Sequence, residues 1–106
     1  GEAPAVLMAR YDVYRAPEGA GWWLDVQAEV LDMLSTRVVV PLLPGGQAPA
    51  PAKRLNPVFE VEGSRAVMVT QYLAAVPLRM LGRPVGSLAD RADEIGAAVG
   101  MVFLGF

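Results

Sequence analysis

The chain has 106 residues, of which 54% are hydrophobic and 19% are charged, and its formal net charge is -2. This length supports one domain with a single core. The acidic balance argues against direct nucleic-acid binding, which needs a basic face to release counterions. The absence of Cys and His excludes disulfides, thiolate nucleophiles and imidazole catalysis. We therefore expect no metal site and no cofactor.

The N-terminal residues carry no pattern for export. Gly1-Glu2-Ala3-Pro4 lacks the basic region of a signal peptide, and no apolar run reaches the ~20 residues of a membrane span. We therefore expect a cytoplasmic protein without membrane contact. Met8 followed by Ala-Arg-Tyr is typical of a native start. Residues 1–7 are thus expected to be a disordered extension or a foreign remnant, and residues 8–106 the domain.

Two strands are predicted near the N-terminus. Residues 10–15 alternate polar and apolar side chains, the period of a half-buried strand. Ala16 to Gly21 is rich in Pro and Gly and predicts the connecting turn. The second strand covers 22–27, with Trp23 and Asp25 on the face opposite its aliphatic residues.

The β-branched run from Thr36 to Leu42 predicts the central strand. Pro41 interrupts it and indicates a bulge or an exposed N–H side. The following residues, 44–52, are dominated by Pro, Gly and Ala, so we expect a mobile surface loop.

A hairpin is predicted where residues 57–61 and 65–70 flank Glu62-Gly63-Ser64. The remaining short elements are expected to be a turn or helical segment over 71–76 and a last strand built from 78–80 and Val85.

A helix is predicted from Ser87 to Leu104, which makes the chain mainly β with one C-terminal helix (α+β). Ser87 is the expected cap, and Asp90 three residues later completes a pattern similar to a capping box. The apolar stripe of this helix follows the three-to-four-residue spacing of one face and consists of Leu88, Ala92, Ile95, Val99, Val102 and Phe106.

From Ala97 onward the helix carries no charge. A helix that covers a sheet needs one apolar stripe, so its last turns either enter the core or contact a second protein surface. The mean hydropathy of +0.37 is high for so short a chain and favours a homodimer. The residues expected at the dimer interface are Gly96, Val99, Gly100, Met101 and Phe103.

No catalytic residue is predicted. Asp90, Asp93 and Glu94 lie on the expected solvated face of the helix. An Asp–Arg or Glu–Arg pair could serve a ribonuclease, but Arg37, Arg65 and Arg79 are more simply surface or paired strand residues. Trp22-Trp23 could stack on bases, yet no basic groove surrounds it, so a core or interface role is favoured.

Taken together, several segments in fixed order resemble the CcdB toxin family. The resemblance runs from about Met8 to the C-terminus and is carried by residues 11–14, 23–32, 37–42, 55–58, 74–77 and 101–106. It implies an SH3-like antiparallel β-barrel, shared with the MazF/Kid toxins, closed by the C-terminal helix and dimeric through it.

The resemblance also implies a function without catalysis. CcdB proteins bind the DNA gyrase A subunit, trap its cleaved-DNA complex, and are neutralised by the antitoxin CcdA. The positions implied to contact gyrase are Val30, Leu31, Gly100, Phe103, Leu104, Gly105 and Phe106. The family has Trp, which stacks on an Arg of gyrase, where this chain has Leu104; this loss forfeits about 0.5–2 kcal/mol of cation–π attraction.

Two alternatives remain open on the sequence. A toxin-like dimer could bind antitoxin without poisoning gyrase, as the departure at Leu104 suggests. A MazF/Kid-like endoribonuclease is less favoured, because the chain has no His and no net positive charge.

Overall fold

The computed structural model describes residues 9–19 and 21–106. It contains one antiparallel sheet in the order β4-β5-β3-β2-β1-β7, with β6 also paired to β3. The sheet curls into a nearly closed barrel, and one C-terminal helix packs on it, as predicted. The elements are β1 (Asp12–Arg15), β2 (Trp22–Asp25), β3 (Thr36–Pro44), β4 (Val58–Val61), β5 (Ser64–Met68), β6 (Ala74–Pro77), β7 (Gly86–Ser87) and α1 (Ala92–Leu104).

The N-terminal extension expected over residues 1–7, and the start at Met8, lie outside the described residues. Among the described helices, none is long and apolar enough to cross a membrane.

Strand β3 is the centre of the sheet, as predicted. One edge pairs with β2, while the other pairs first with β6 over residues 36–39 and then with β5 over 42–44. Pro41 lies between these two partners, and its carbonyl accepts a hydrogen bond from Val69 N (3.0 Å) on that same edge. Its missing N–H therefore falls where no strand pairing requires a donor.

The predicted hairpin is also confirmed. β4 and β5 are joined by the two residues Glu62 and Gly63, which have φ values of 51° and 79°. Two positive φ values are what a type I′ turn requires, and its twist matches that of the flanking strands.

The prediction for the last strand was wrong. Leu78–Met80 forms a 3₁₀ turn, and strands lie on either side of it, at β6 and β7. Leu78 N donates to Ser35 O (2.8 Å) just beyond the last β3–β6 pair, Thr36 and Pro77, and the 3₁₀ turn follows from there. The two-residue strand β7 pairs through its backbone with Asp12 and Val13, so no side-chain pattern marks it.

The predicted start of the helix was five residues too early. Ser87 belongs to β7, and its Oγ accepts a hydrogen bond from Ala89 N (3.2 Å) at a 3₁₀ turn that precedes α1. The end at Leu104 is confirmed. Gly105 adopts a left-handed conformation (φ 80°) and donates its N–H to Met101 O (3.0 Å), the usual helix C-terminal cap.

The core lies between the inner face of the barrel and α1. The helix contributes Ile95 and Ala98, both fully buried, while the Arg91 guanidinium stands 4.7 Å from the centre of the Phe59 ring. The largest buried cluster consists of Val13, Trp22, Leu24, Val26, Val40, Leu42, Phe59, Val61, Ala66, Met68, Leu88, Ile95 and Ala98.

A buried ion pair links the end of β2 to the start of β3. Arg37 donates from Nε (2.9 Å) and Nη2 (2.5 Å) to Asp25 Oδ2, and both side chains are fully buried. Asp25 Oδ1 accepts from Gln27 N (2.9 Å). Burial nevertheless raises the pKa of Asp25, because desolvation outweighs these partners. The pair therefore specifies how β2 and β3 meet more than it adds stability.

A second ion pair ties the two hairpins together at the barrel surface. Glu62 accepts from Arg15 Nε (3.0 Å) and Nη2 (2.6 Å), and from Trp22 Nε1 (2.8 Å). These hydrogen bonds, Arg15 first and Trp22 second, lower the pKa of Glu62 to about 2. These hydrogen bonds hold the turn between β4 and β5 against the hairpin formed by β1 and β2.

Replacing Arg37 with leucine should lower the free energy of unfolding by about 3–5 kcal/mol, because Asp25 is left as a buried charge without a counter-ion. The double variant Asp25→Leu/Arg37→Leu should be more stable than this single variant. Urea unfolding followed by tryptophan fluorescence measures both, with the exposed Arg65→Leu as control. A single variant as stable as the parent protein would contradict this account.

Acid should weaken the fold through Glu62. The folded-state pKa of Glu62, about 2, lies below the ordinary value of 4.5. Its contribution to the stability of the fold is therefore complete above pH 4.5 and is lost as the pH falls toward 2. In thermal unfolding measured across this pH range, the melting temperature of Glu62→Gln should fall less steeply with decreasing pH than that of the parent protein. Glu60→Gln, a matched exposed position on β4, should keep the parent slope; equal slopes in all three proteins would disprove the assignment.

Candidate functional site

The end of α1 projects beyond the core. Ile95 and Ala98 are the last buried helical residues, whereas Phe103 and Leu104 are 66% and 64% exposed. Phe106 follows the Gly105 cap and is 77% exposed. The predicted apolar stripe is therefore correct through Val99, which packs against the core, and wrong for Val102 and Phe106. The sheet does not extend far enough to cover them.

The residues predicted for a dimer interface divide between two sides of α1. Gly96, Gly100 and Phe103 share one face through their spacing of four and three residues, whereas Val99 packs against the core. Met101 is half-buried, and its carbonyl caps the helix. Space is open where Gly96 would carry a Cβ. This face of the helix therefore has no side chain at Gly96 and carries the apolar side chain of Phe103 near its C-terminal end.

A second apolar surface lies in the connection from β2 to β3. Residues Glu29–Leu31 form a 3₁₀ turn in which Val30 is 75% exposed and Leu31 is partly exposed. Buried Gln27 fixes this turn, because its Nε2 donates to Leu31 O (2.9 Å) and its Oε1 accepts from Val38 N (3.0 Å). The exposed side chains of Val30 and Leu31 therefore lie on a turn that is supported by hydrogen bonds of the Gln27 side chain.

Sequence reasoning missed two members of this second surface. Met33 and Leu34 are 73% and 43% exposed and are separated from Val30 and Leu31 by Asp32 alone. The signal was the run Val30-Leu31-Asp32-Met33-Leu34, which is apolar but has no strand or helix assigned to it. In the described part of the chain, no hydrogen bond or ion pair joins this surface to the end of α1.

Among the charged side chains considered as catalytic candidates, Arg37 is buried and Glu94 is paired, whereas Asp90, Asp93, Arg65 and Arg79 are exposed. Asp25 and Arg37 are fully buried, so neither reaches a substrate. Burial, followed by the charges of Asp12 and Asp25, raises the pKa of Tyr14 to about 12, so its phenol is harder to ionise than that of an ordinary tyrosine. On the helix, Arg91 pairs with Glu94 at the surface. Within residues 9–19 and 21–106, no group of three or more Asp or Glu side chains is arranged to hold a metal ion.

What these surfaces can do is bind protein. Exposed apolar side chains gain about 25 cal/mol per Å² when a partner removes them from water, and exposed apolar patches are typical of interaction sites. Of the gyrase-binding positions predicted from the sequence, five carry exposed apolar side chains, at Val30, Leu31, Phe103, Leu104 and Phe106, and two, Gly100 and Gly105, carry no side chain.

Comparisons with known proteins agree with this fold. The sequence matches the family described as "CcdB protein" over residues 10–105. The Mycobacterium tuberculosis toxin MazF-mt6 superimposes with a TM-score of 0.71 at 19% identity, covering 87% of this chain and 95% of that one. An endoribonuclease in complex with its cognate antitoxin, from a mycobacterial species, gives a TM-score of 0.75 at 18% identity, covering 93% and 96%. At these identities the two structures show a shared fold.

The variant Gln27→Ala should loosen the Glu29–Leu31 turn, because Val38 N and Leu31 O each lose a partner. We expect a loss of about 1–3 kcal/mol in the free energy of unfolding and faster amide exchange at Val38, both measurable by hydrogen–deuterium exchange. The exposed Gln47→Ala is the control and should leave both unchanged. Unaltered exchange at Val38 in the Gln27 variant would refute this role.

Proposed function

Because the chain belongs to the CcdB protein family, whose members are toxins of toxin–antitoxin systems, we propose that it binds the DNA gyrase A subunit and traps the cleaved-DNA complex. The proposed activity is inhibition by binding, without catalysis. The observation that carries it is the exposed apolar end of α1, where Phe103, Leu104 and Phe106 lie uncovered by the rest of the described chain.

The proposed gyrase-binding residues combine both apolar surfaces. The end of α1 supplies the anchors, and the supported turn at Val30 and Leu31 supplies the second contact. In a homodimer joined through Gly96, Gly100 and neighbouring positions of α1, two copies of these surfaces would be presented together. Such a dimer, acting in the cytoplasm, is part of this proposal.

Neutralisation by a CcdA-like antitoxin is the second part of the proposal. An apolar segment of an antitoxin that covers Phe103 or Leu104 would remove the anchors that gyrase needs. The mycobacterial endoribonuclease with this fold was solved with its cognate antitoxin, which supports an antitoxin as partner for this chain.

Two other functions remain as outcomes of the test. An endoribonuclease is suggested by the structural neighbours, but the Asp25–Arg37 pair is inaccessible to RNA. A dimer that binds antitoxin without poisoning gyrase is suggested by Leu104, where the family carries an aromatic side chain.

Purified protein should inhibit gyrase supercoiling at micromolar concentration and leave linearised DNA after denaturation. Phe103→Ser should abolish this, because it removes an exposed anchor. Leu104→Trp should strengthen it about 2- to 30-fold, the ratio that corresponds to about 0.5–2 kcal/mol of cation–π attraction. Val85→Ser, at a partly exposed apolar position outside both surfaces, is the control.

The outcomes separate the three functions. An inert parent protein with an active Leu104→Trp variant supports the antitoxin-binding dimer. RNA cleavage in the absence of gyrase supports the endoribonuclease. Absence of gyrase inhibition in both proteins overturns the gyrase proposal.

A further inference from the structure

A cleft lies beside the β1–β2 loop, apart from the surfaces proposed for gyrase. Its volume is about 270 Å³, and its walls are mainly apolar. The loop contributes three residues, β2 contributes one, and the 3₁₀ turn after β6 contributes one. These lining residues are Ala16, Pro17, Glu18, Trp23 and Met80.

The two adjacent tryptophans have different environments. Trp22 is buried, and its Nε1 donates to Glu62 (2.8 Å). Trp23, on the opposite face of β2, is only half-buried and lines the cleft. Trp23 therefore offers the surface of its ring to an incoming group.

Among the described residues that line this cleft, Glu18 is the only charged one. Its side chain is exposed, and among the described residues it forms no ion pair, unlike Glu62, Asp25 and Glu94. The cleft therefore combines a carboxylate without a counter-ion, an available indole and apolar walls. This combination is complementary to a cation with an apolar stem.

We propose that the cleft holds one arginine side chain of a protein partner. Its volume is below the ~300–1,000 Å³ usual for small-molecule sites and suits a single long side chain. The methylene stem would pack on Pro17 and Met80, and the guanidinium would stack on Trp23 and pair with Glu18. A guanidinium is preferred over an ammonium, since it is planar, less strongly hydrated and able to donate in a fork to a carboxylate.

A nucleobase fits this cleft less well. An indole can stack on a base, but Glu18 would repel the attached phosphate. The proposal does not depend on gyrase binding, because it involves neither the end of α1 nor the turn at Val30 and Leu31.

The test uses the full chain and the capped peptide acetyl-Gly-Arg-Gly-amide, followed by ¹H–¹⁵N NMR of the two indole N–H signals. Trp23→Phe identifies the Trp23 signal by its loss. We expect a saturable shift of the Trp23 signal at millimolar peptide, while the Trp22 signal stays in place because it is bonded to Glu62. The same peptide with citrulline, which is isosteric but uncharged, should bind at least about tenfold more weakly.

Glu18→Gln should weaken binding of the arginine peptide by a similar factor, whereas the control Glu60→Gln should bind like the parent protein. Circular dichroism confirms that each variant is folded. Equal affinity for the arginine and citrulline peptides, or no shift of the Trp23 signal, would overturn the proposal. A stronger response to adenosine monophosphate than to the arginine peptide would also overturn it, in favour of a nucleobase site.

Discussion

Strands β2 and β3 meet around a charge pair that water does not reach. Asp25 and Arg37 are each fully buried and pair through Arg37 Nε and Nη2, while Arg37 Nη1 has no hydrogen-bond partner among the described residues. Any shift of one strand along the other would separate opposite charges in a medium of low polarity. β3 in turn pairs with β2, β5 and β6. The relative positions of these four strands, and of the hairpins attached to them, therefore depend on this one contact.

The exposed surfaces are a consequence of where the core ends. A small barrel can bury only a limited stretch of one helix, and on α1 that stretch ends with Ala98 and the partly packed Val99. The helix nevertheless continues to Leu104 in an apolar sequence. A buried amide, Gln27, meanwhile holds the turn that displays Val30. The buried parts of these elements thus stabilise the fold, and their exposed parts are available to a partner.

The features predicted correctly from sequence were those with local signals. The hairpin at Glu62-Gly63 and the helix end at Leu104 depend on turn and cap chemistry within a few residues. The ion pair was not predicted, because Asp25 in an alternating strand has the pattern of a surface residue and Arg37 is twelve positions away. The helix start was misplaced since Ser87 is a good cap, but its backbone is engaged in pairing with β1. At the candidate site, Val30 and Leu31 were named through family resemblance, whereas Met33 and Leu34 had no pattern to identify them.

Pro41 has an architectural consequence. Along the outer edge of β3, the ladder to β6 stops at Val39 and the ladder to β5 begins at Leu42, with the proline between them. The two ladders belong to separate strands, because the 3₁₀ turn Thr70–Tyr72 lies between β5 and β6, and the proline falls at the change of partner, where no N–H is needed. Within the single sheet, β3 therefore has β6 as its neighbour at one end and β5 at the other, a change of partner that lets short strands curve into a barrel. Since β5 and β6 pair with different parts of β3, a length change in the connection over 45–57, which joins β3 to β4, should affect the β4–β5 hairpin and leave the pairing of β6 in place.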